Sequence, residues 1–161
     1  MSDPENTLIL KLAKGNVSIE LLPDVAPNHV ERIKLLASES FYDNCPFHRV
    51  IEGFMAQTGD GSNQDGTGGS DYPNLTQEFN STAHERGVVS MARAASPNSA
   101  NSQFFICYDN CPHLNNQYTV FGRVIDGMDL IDNLKKGAPG SGSVTVPDRI
   151  LKAYIQADSP E

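Results

Sequence analysis

The sequence predicts a mainly β fold built around an antiparallel sheet, and three observations lead to this prediction. Eight short segments either alternate apolar with polar residues or are rich in β-branched and aromatic residues, as strands are. Only two segments have helical spacing. Most connections between the strands are too short for a crossover helix, so paired strands run antiparallel. Many short strands in a chain of 161 residues indicate a barrel or a sandwich.

The first predicted elements are a hairpin and a helix. Apolar and polar residues alternate in 7–12 and 17–21, and the Lys-Gly-Asn of 14–16 supplies the turn between them. Period-two spacing places the leucines of both segments on one face of the hairpin. A helix is predicted from residue 27 to about residue 39, because a proline at the first helical position removes no hydrogen bond.

Shorter patterns predict the remaining elements. A second helix begins after Asp126, its predicted N-cap. The glycine-rich stretches 59–69 and 137–142 are predicted to be loops. We expect all of these elements to belong to one domain spanning residues 1–161. The other predicted strands are 47–50, 54–58, 88–92, 103–107, 119–124 and 151–155.

The charge balance argues against some classes of partner. The formal net charge is −8 and no run of basic residues is present, whereas a surface that binds nucleic acid or anionic membrane needs clustered Lys and Arg. No apolar run reaches the length of a membrane span. The acidic start of the chain lacks the basic and apolar regions of a signal peptide. We therefore expect a monomeric, cytoplasmic protein without nucleic acid or membrane as partners.

The three cysteines predict neither a disulfide framework nor a metal centre. Their number is odd and small, which favours free thiols in a reducing compartment. Cys107 and Cys111 are too few to bind zinc, and His113 would still leave one ligand missing. The chain also lacks the second His of a zinc-protease helix and the Lys-Ser/Thr of a phosphate loop. We expect no cofactor and no metal.

Individual residues do not identify an active site. His48 and Arg49 are neighbours on a predicted strand, so their side chains should point to opposite faces. A single arginine on a strand is more often a surface or ion-pairing residue than a catalytic one. Phe54, Met55 and Phe105 are likewise typical of a core. Taken one at a time, these residues are compatible with any β protein.

Five segments, taken in order, change this interpretation. They are 47–60 (Phe-His-Arg-Val-Ile-Glu-Gly-Phe-Met-Ala-Gln-Thr-Gly-Asp), 66–69 (Gly-Thr-Gly-Gly), 90–94 (Ser-Met-Ala-Arg-Ala), 101–106 (Asn-Ser-Gln-Phe-Phe-Ile) and 120–128 (Val-Phe-Gly-Arg-Val-Ile-Asp-Gly-Met). Together they resemble the cyclophilins, at near-family spacing, and the resemblance covers nearly the whole chain between residues 7 and 155. It implies a closed eight-stranded antiparallel β-barrel capped by two α-helices. It also implies a peptidyl-prolyl cis–trans isomerase, or rotamase, that acts on X-Pro bonds and assists protein folding.

The resemblance assigns roles to particular residues. It makes Arg49 the donor of a hydrogen bond to the prolyl nitrogen in the twisted transition state. Gln57 orients Arg49 and binds substrate backbone, and Phe54 belongs with them in the catalytic set. His48 has a hydrogen-bonding rather than an acid–base role. The implied substrate-binding residues are His48, Met55, Ala92, Arg93, Gln103, Phe105, His113, Leu114 and Tyr118.

The sequence departs from the better-known members of the family at the border of the implied groove. Arg93 replaces Asn, where the family contact is largely through the backbone. His113 stands where many members carry Trp, which weakens the expectation of a cyclosporin-type ligand. Tyr118 falls where cyclophilins often carry His, and its hydroxyl can act as the donor there. One extra residue lies between Ala94 and Gln103.

Two other functions remain open beside an active isomerase. The implied partners are proline-containing peptides and protein clients, unfolded or folded. A binding module would hold the same segments without turnover, because pocket residues can bind without catalysing. A general folding chaperone would instead need exposed apolar surface, and its activity would not depend on Arg49.

Overall fold

A computed structural model describes residues 4–61, 63, 67–139 and 141–158. Gly66 of the second family-like segment, the ends of the 1–161 domain and parts of the two predicted loops lie outside the described residues. The strands are β1 (Thr7–Leu12), β2 (Gly15–Leu21), β3 (Cys45–Pro46), β4 (Arg49–Ile51), β5 (Met55–Thr58), β6 (Val88–Met91), β7 (Phe104–Cys107), β8 (Val120–Asp126), β9 (Arg149–Ile150) and β10 (Lys152–Ile155). The α-helices are α1 (Pro27–Ser38) and α2 (Met128–Asp132).

Eight of these strands form one curled antiparallel sheet. Their order is β10-β1-β2-β8-β6-β7-β5-β4. Among the described residues no ladder joins β4 to β10, so the sheet is an open half-barrel and the expected closure was wrong. The loop between α2 and β9 covers the free edge of β4 instead. The backbone of Val50 bonds to both Gly137 and Gly142 of this loop, each at 2.8 Å.

The mainly β fold with two helices is confirmed, while several element ends differ from the prediction. A second, two-stranded sheet pairs β3 with β9. Each of these strands has two residues, too few to show any periodicity. The predicted strand 47–50 begins only at Arg49, so Phe47 and His48 precede it. Strand β8 continues through Asp126, and the N-cap of α2 is Gly127 with φ +88°.

Helix α1 packs against the sheet with its apolar face. Pro27 lies in its first turn, as predicted, but the N-cap side chain is Ala26 and cannot accept a hydrogen bond. The carboxylate of Glu78 replaces it by accepting from the backbone N–H groups of Asn28 at 3.2 Å and His29 at 2.9 Å. A negative charge at this end also suits the helix dipole. The residues buried on its inner face include Val30, Ile33, Leu36 and Ala37.

The interior has two clusters of apolar side chains. The larger one fills the space between the sheet and α1, with Tyr42, Phe47, Phe104 and Phe121 fully buried. The smaller one lies on the other side of β5, β6 and β7, and Phe54, Ala92 and Tyr118 pack on its edge. Its buried members are Met55, Val88, Phe105, Cys107, Cys111, Leu114 and Val120. This smaller cluster forms the floor of the candidate site.

In the described part of the chain, no helix combines the length and the apolar character needed to span a membrane.

Candidate active site

Arg49 lies half-buried on β4 and is held by two neutral acceptors. Its Nε donates to the backbone carbonyl of Ser141 at 3.0 Å. Its Nη1 donates to Oε1 of Gln57 at 3.4 Å, which is a long hydrogen bond. No described carboxylate forms an ion pair with Arg49, so none of the described side chains neutralises its charge.

A chain of side-chain amides continues from Arg49 along the surface. Nε2 of Gln57 donates to Oε1 of Gln103 at 3.0 Å. Nε2 of Gln103 in turn donates to the carbonyl of Gly68 at 2.9 Å. Each amide therefore uses both its acceptor and its donor, which restricts its rotamer. Because the Nε2 of Gln57 donates to Gln103, its Oε1 acceptor faces Arg49.

A cavity of about 130 Å³ with an apolar floor opens beside Arg49. Met55, Phe105 and Leu114 form its buried floor. Its volume equals that of about four water molecules at ~30 Å³ each, so it suits one small ring. The residues that line it are Arg49, Phe54, Met55, Gln57, Ala92, Arg93, Phe105, Leu114 and Tyr118.

A second cavity of about 400 Å³ continues from the first. Gln57, Ala92 and Arg93 line both cavities, so the two form one groove. Gln103 lies in the larger part, next to the backbone of Gly68. No Asp or Glu is among the described residues that line either cavity. The remaining residues of the larger cavity are Thr67, Gly69, Ser70, Asn74, Ala94, Ser99, Asn101 and Ser102.

The ring of Phe105 is fixed from two sides. It stacks on His84 with centroids 6.2 Å apart and an interplanar angle of 17°. Tyr118 meets it edge-on at 5.6 Å and 88°. His84 is fully buried, with Nε2 2.9 Å from Oγ of Ser90 and Nδ1 3.1 Å from Oδ1 of Asn115. Burial lowers the pKa of His84, which favours the neutral ring.

Sequence reasoning missed His84 as a supporting residue. A single histidine between Ala and Glu has no local pattern that distinguishes it from a surface residue. Its contact with Phe105 joins residues 21 positions apart in the sequence (105 − 84) and exists only in the folded protein. No sequence signal was available to find it.

Two predicted residues lie outside both cavities. His48 is buried, with 8% of the residue's surface exposed. Its backbone carbonyl accepts a hydrogen bond from the backbone N–H of Val144 at 3.1 Å. His113 is exposed at the rim, where its ring lies 5.7 Å from that of Phe54. The structure brings the other predicted residues together along the groove.

The groove contains no activated thiol in its described part. Cys107 and Cys111 lie beneath the floor of the smaller cavity, and both are buried. Burial raises the pKa of the Cys107 thiol to about 12 and raises that of Cys111, so both stay protonated at neutral pH. Among the described residues, no group of three or more His, Cys, Asp or Glu is arranged to hold a metal ion.

Comparison with known protein families shows to which family the chain belongs. The sequence profile described as cyclophilin type peptidyl-prolyl cis-trans isomerase/CLD matches residues 7–155. The chain belongs to this family. Since this match covers most of the chain, the isomerase activity expected from the resemblance is confirmed.

Curated relatives and solved structures agree with the family. The cyclophilin-type chain is 54% identical over 169 residues to the "Probable peptidyl-prolyl cis-trans isomerase" of Brucella suis, covering 98% of the chain and 86% of the relative. It is 44% identical over 127 residues to "Peptidyl-prolyl cis-trans isomerase-like 3" of Gallus gallus, covering 76% and 77%. A crystal structure of a cyclophilin from Hirschia baltica matches with TM-score 0.88 and 30% identity, covering 99% of this chain and 77% of that one.

A second crystal structure shows a cyclophilin type isomerase of Cryptosporidium parvum in the presence of the dipeptide Ala-Pro. It matches with TM-score 0.83 and 30% identity, covering 92% of this chain and 98% of that one. Four of the five family-like segments contribute to the groove of our cyclophilin-type chain: 47–60, the described part of 66–69, 90–94 and 101–106. Three of them lie on or beside the neighbouring strands β4 to β7.

Proposed function

We propose that this isomerase catalyses rotation about X-Pro bonds by donating a hydrogen bond from Arg49 to the prolyl nitrogen. The observation that supports the proposal best is that the guanidinium of Arg49, held by Ser141 and without a described counter-ion, lines a cavity of about 130 Å³ that has an apolar floor. The cavity suits the proline ring, and the guanidinium then faces the bond that rotates.

The chemistry of rotation explains why a cationic donor is useful. The uncatalysed barrier is about 18–20 kcal/mol because twisting the bond breaks amide resonance. In the twisted state the nitrogen regains its lone pair and becomes a hydrogen-bond acceptor. A donor directed at that atom therefore stabilises the transition state more than either planar isomer. The step forms and breaks no covalent bond.

Arg49 has donors to spare for this task. A guanidinium carries five N–H groups, and the two bonds to Ser141 and Gln57 use only two of them. Arginine also stays protonated at any working pH. The apolar floor of Met55, Phe105 and Leu114 lowers the local dielectric, which strengthens a charge-assisted bond.

The other groove residues serve binding. We assign the proline ring to the apolar floor with Phe54 at its side, and substrate backbone to Gln57 and Gln103. The backbone of Ala92 and Arg93 holds the peptide in an extended form. Tyr118 offers a hydroxyl to the carbonyl before proline, and His113 contacts substrate from the rim. His48, which directly precedes β4, keeps the hydrogen-bonding role beside the groove that the resemblance implies.

Proline-containing segments of protein clients are the proposed partners. The Ala-Pro dipeptide named with the Cryptosporidium parvum relative supports this class of ligand. Uncatalysed X-Pro exchange takes tens to hundreds of seconds, so catalysis would accelerate folding steps that wait for it. We also propose that residues 1–161 act as one domain, monomeric and cytoplasmic; light scattering of the purified chain tests the monomer.

Exchange NMR on an Ala-Pro peptide tests the role of Arg49. Catalytic amounts of the protein should accelerate cis–trans exchange, and Arg49→Ala should lower kcat/KM about 100-fold, the usual effect of losing one transition-state donor. Arg123→Ala is the matched control, because Arg123 is exposed on β8 and lines neither cavity. An unchanged rate in Arg49→Ala, with the fold intact by circular dichroism, would refute the assignment. Peptide binding without any acceleration by the unmodified protein would favour a binding module.

A further inference from the structure

The side chain of Arg93 is anchored at the point where the two parts of the groove meet. Its Nε donates to the carbonyl of Gln117 at 2.8 Å. Its Nη1 donates to the carbonyls of Ala94 at 3.0 Å and Ala95 at 3.1 Å. The guanidinium carbon lies 4.7 Å from the centre of the Tyr118 ring, within range of a cation–π contact.

These contacts hold Arg93 in place but leave its charge without a counter-ion. All three hydrogen-bond acceptors are neutral carbonyls. Together they use Nε and both hydrogens of Nη1, so the two donors of Nη2 are left over. No described carboxylate forms an ion pair with Arg93, and none lines either cavity. This is notable in a chain whose net charge is −8.

An unneutralised, oriented guanidinium at a substrate groove is suited to recognise an anion. The two N–H groups left on Nη2 diverge, so either can donate to a carboxylate oxygen, and charge-assisted hydrogen bonds are stronger than neutral ones. Arg93 has already lost most of its rotamer freedom through its anchors, so binding costs little further entropy. Resting on the function proposed above, we propose that the side chain of Arg93 selects peptides with a carboxylate close to the proline.

The geometry of an extended peptide limits where this carboxylate lies. Side chains two positions apart point to the same side of an extended chain and are about 6.6–7 Å apart. With proline in the smaller cavity, the residue two positions away points towards the larger cavity, which Arg93 also lines. The preferred substrates therefore carry Asp or Glu two residues before or two residues after the proline.

The negative net charge opposes this preference at long range. An acidic peptide is repelled by the whole molecule, and the repulsion decays over a Debye length of about 10 Å at 0.1 M salt. The contact with Arg93 is short-ranged and survives at that ionic strength. Because Arg93 is only partly buried, we expect a two- to fivefold preference, roughly the worth of an exposed ion pair.

Matched peptide pairs measure the preference directly. One pair carries Asp or Asn two residues before the proline, and a second pair carries them two residues after it. Exchange NMR at about 0.1 M salt gives kcat/KM for each peptide. Titration gives Kd for the same peptides, so charge selectivity is decided even where no catalysis is seen.

Three variants assign the effect to Arg93. Arg93→Gln removes the charge and should reduce the Asp-to-Asn ratio to about one. Arg93→Lys keeps the charge but loses the anchored guanidinium, and should retain part of the ratio. Arg123→Gln changes the net charge equally at an exposed position outside the groove and should keep the whole ratio.

The outcomes separate this inference from the proposed catalytic role. A ratio above about two at either position, lost in Arg93→Gln, supports selection by Arg93. Ratios of one at both positions, in kcat/KM and in Kd, overturn it while leaving isomerase activity intact. A ratio that persists in Arg93→Gln also overturns it. If the unmodified protein shows no exchange catalysis but its Kd values still favour the Asp peptide, the result supports selection by Arg93 and counts against Arg49 as the catalytic donor.

Discussion

Nη1 of Arg49 lies 3.4 Å from Oε1 of Gln57, and the two residues are register partners across the β4–β5 pair. Their backbones are joined by a strand ladder, so their side chains project from the same face of the sheet. The contact is therefore a consequence of strand pairing. Gln57 is itself fixed by its hydrogen bond to Gln103, which lines the larger cavity.

Replacing Gln57 by Leu should lower kcat/KM roughly threefold to tenfold, the equivalent of one lost neutral hydrogen bond. The loss should be smaller than in Arg49→Ala, because the carbonyl of Ser141 still holds Nε. Exchange NMR measures the rate, and urea unfolding checks stability. Gln156→Leu makes the same chemical change at an exposed position outside the groove. Equal rates for both variants would show that Gln57 does not orient Arg49.

The loop that covers β4 also positions Arg49, and Gly142 is its critical residue. Gly142 has φ +75°, and a Cβ there would lie 2.5 Å from Cγ1 of Ile51 and 3.1 Å from Cγ of Arg49. Gly142→Ala should therefore displace the Arg49 side chain and lower kcat/KM about tenfold. It should also cost about 1–2 kcal/mol of stability through left-handed backbone strain.

Gly53→Ala is the matched control for this substitution. Gly53 has φ +76°, so it incurs similar backbone strain, but a Cβ there would meet nothing within 4 Å. Chemical unfolding should show the shared cost of backbone strain in both variants and a further loss from the Ile51 contact in Gly142→Ala, while only Gly142→Ala loses most of its exchange rate. Parallel rate losses would mean that general destabilisation, and not displacement of Arg49, is responsible.

The residues of the groove could be predicted from the sequence better than the edges of the sheet that carries them. Arg49, Gln57 and Phe105 lie on consecutive strands of the sheet, so a local motif and its strand pairing suffice to bring them together. The family resemblance then supplied roles that no single residue could indicate. Leu114 and Tyr118, from the connection before β8, follow because they pack on the same apolar cluster.

The open edge of the sheet could not be predicted in the same way. Period-two alternation tells which face of a strand is buried, but it does not tell which edge finds a partner. Here the edge of β4 bonds to Gly137 and Gly142 in a loop whose composition carries no strand signal. Glu78 as the cap of α1 is similar, since it lies about 50 residues from the helix it caps.

Residue 113 should control affinity for cyclosporin-type ligands. His113 is exposed and touches Phe54 at a ring distance of 5.7 Å, so it can offer only a small surface at the rim. A tryptophan there would add a large apolar surface, and we expect His113→Trp to tighten cyclosporin binding about tenfold. Titration calorimetry measures the change. His113→Gln should not tighten binding; equal affinities for Trp and Gln would argue against contact at this rim.

The buried ring of His84 should make stability depend on pH. Oδ1 of Asn115 lies 3.1 Å from Nδ1, and the hydroxyl of Ser90 lies 2.9 Å from Nε2. Because the ring is fully buried, the folded protein favours its neutral form. Burial lowers the pKa of His84 below its usual value near 6.5, and burial also lowers that of His29. The unfolded chain therefore takes up protons first as the pH falls.

It follows that the free energy of unfolding is highest above about pH 6.5 and decreases as the pH falls through 6.5 towards the folded-state pKa values. Urea unfolding between pH 7.5 and pH 5 measures this slope, and His84→Gln should reduce it. The effect is compared with that of His113→Gln, which removes the same group at an exposed position. A flat profile, or a slope that His84→Gln leaves unchanged, would contradict a neutral buried His84. Since the folded protein keeps His84 neutral over this range, its stacking on Phe105 is preserved, and the exchange rate should stay constant until the pH approaches the folded-state pKa.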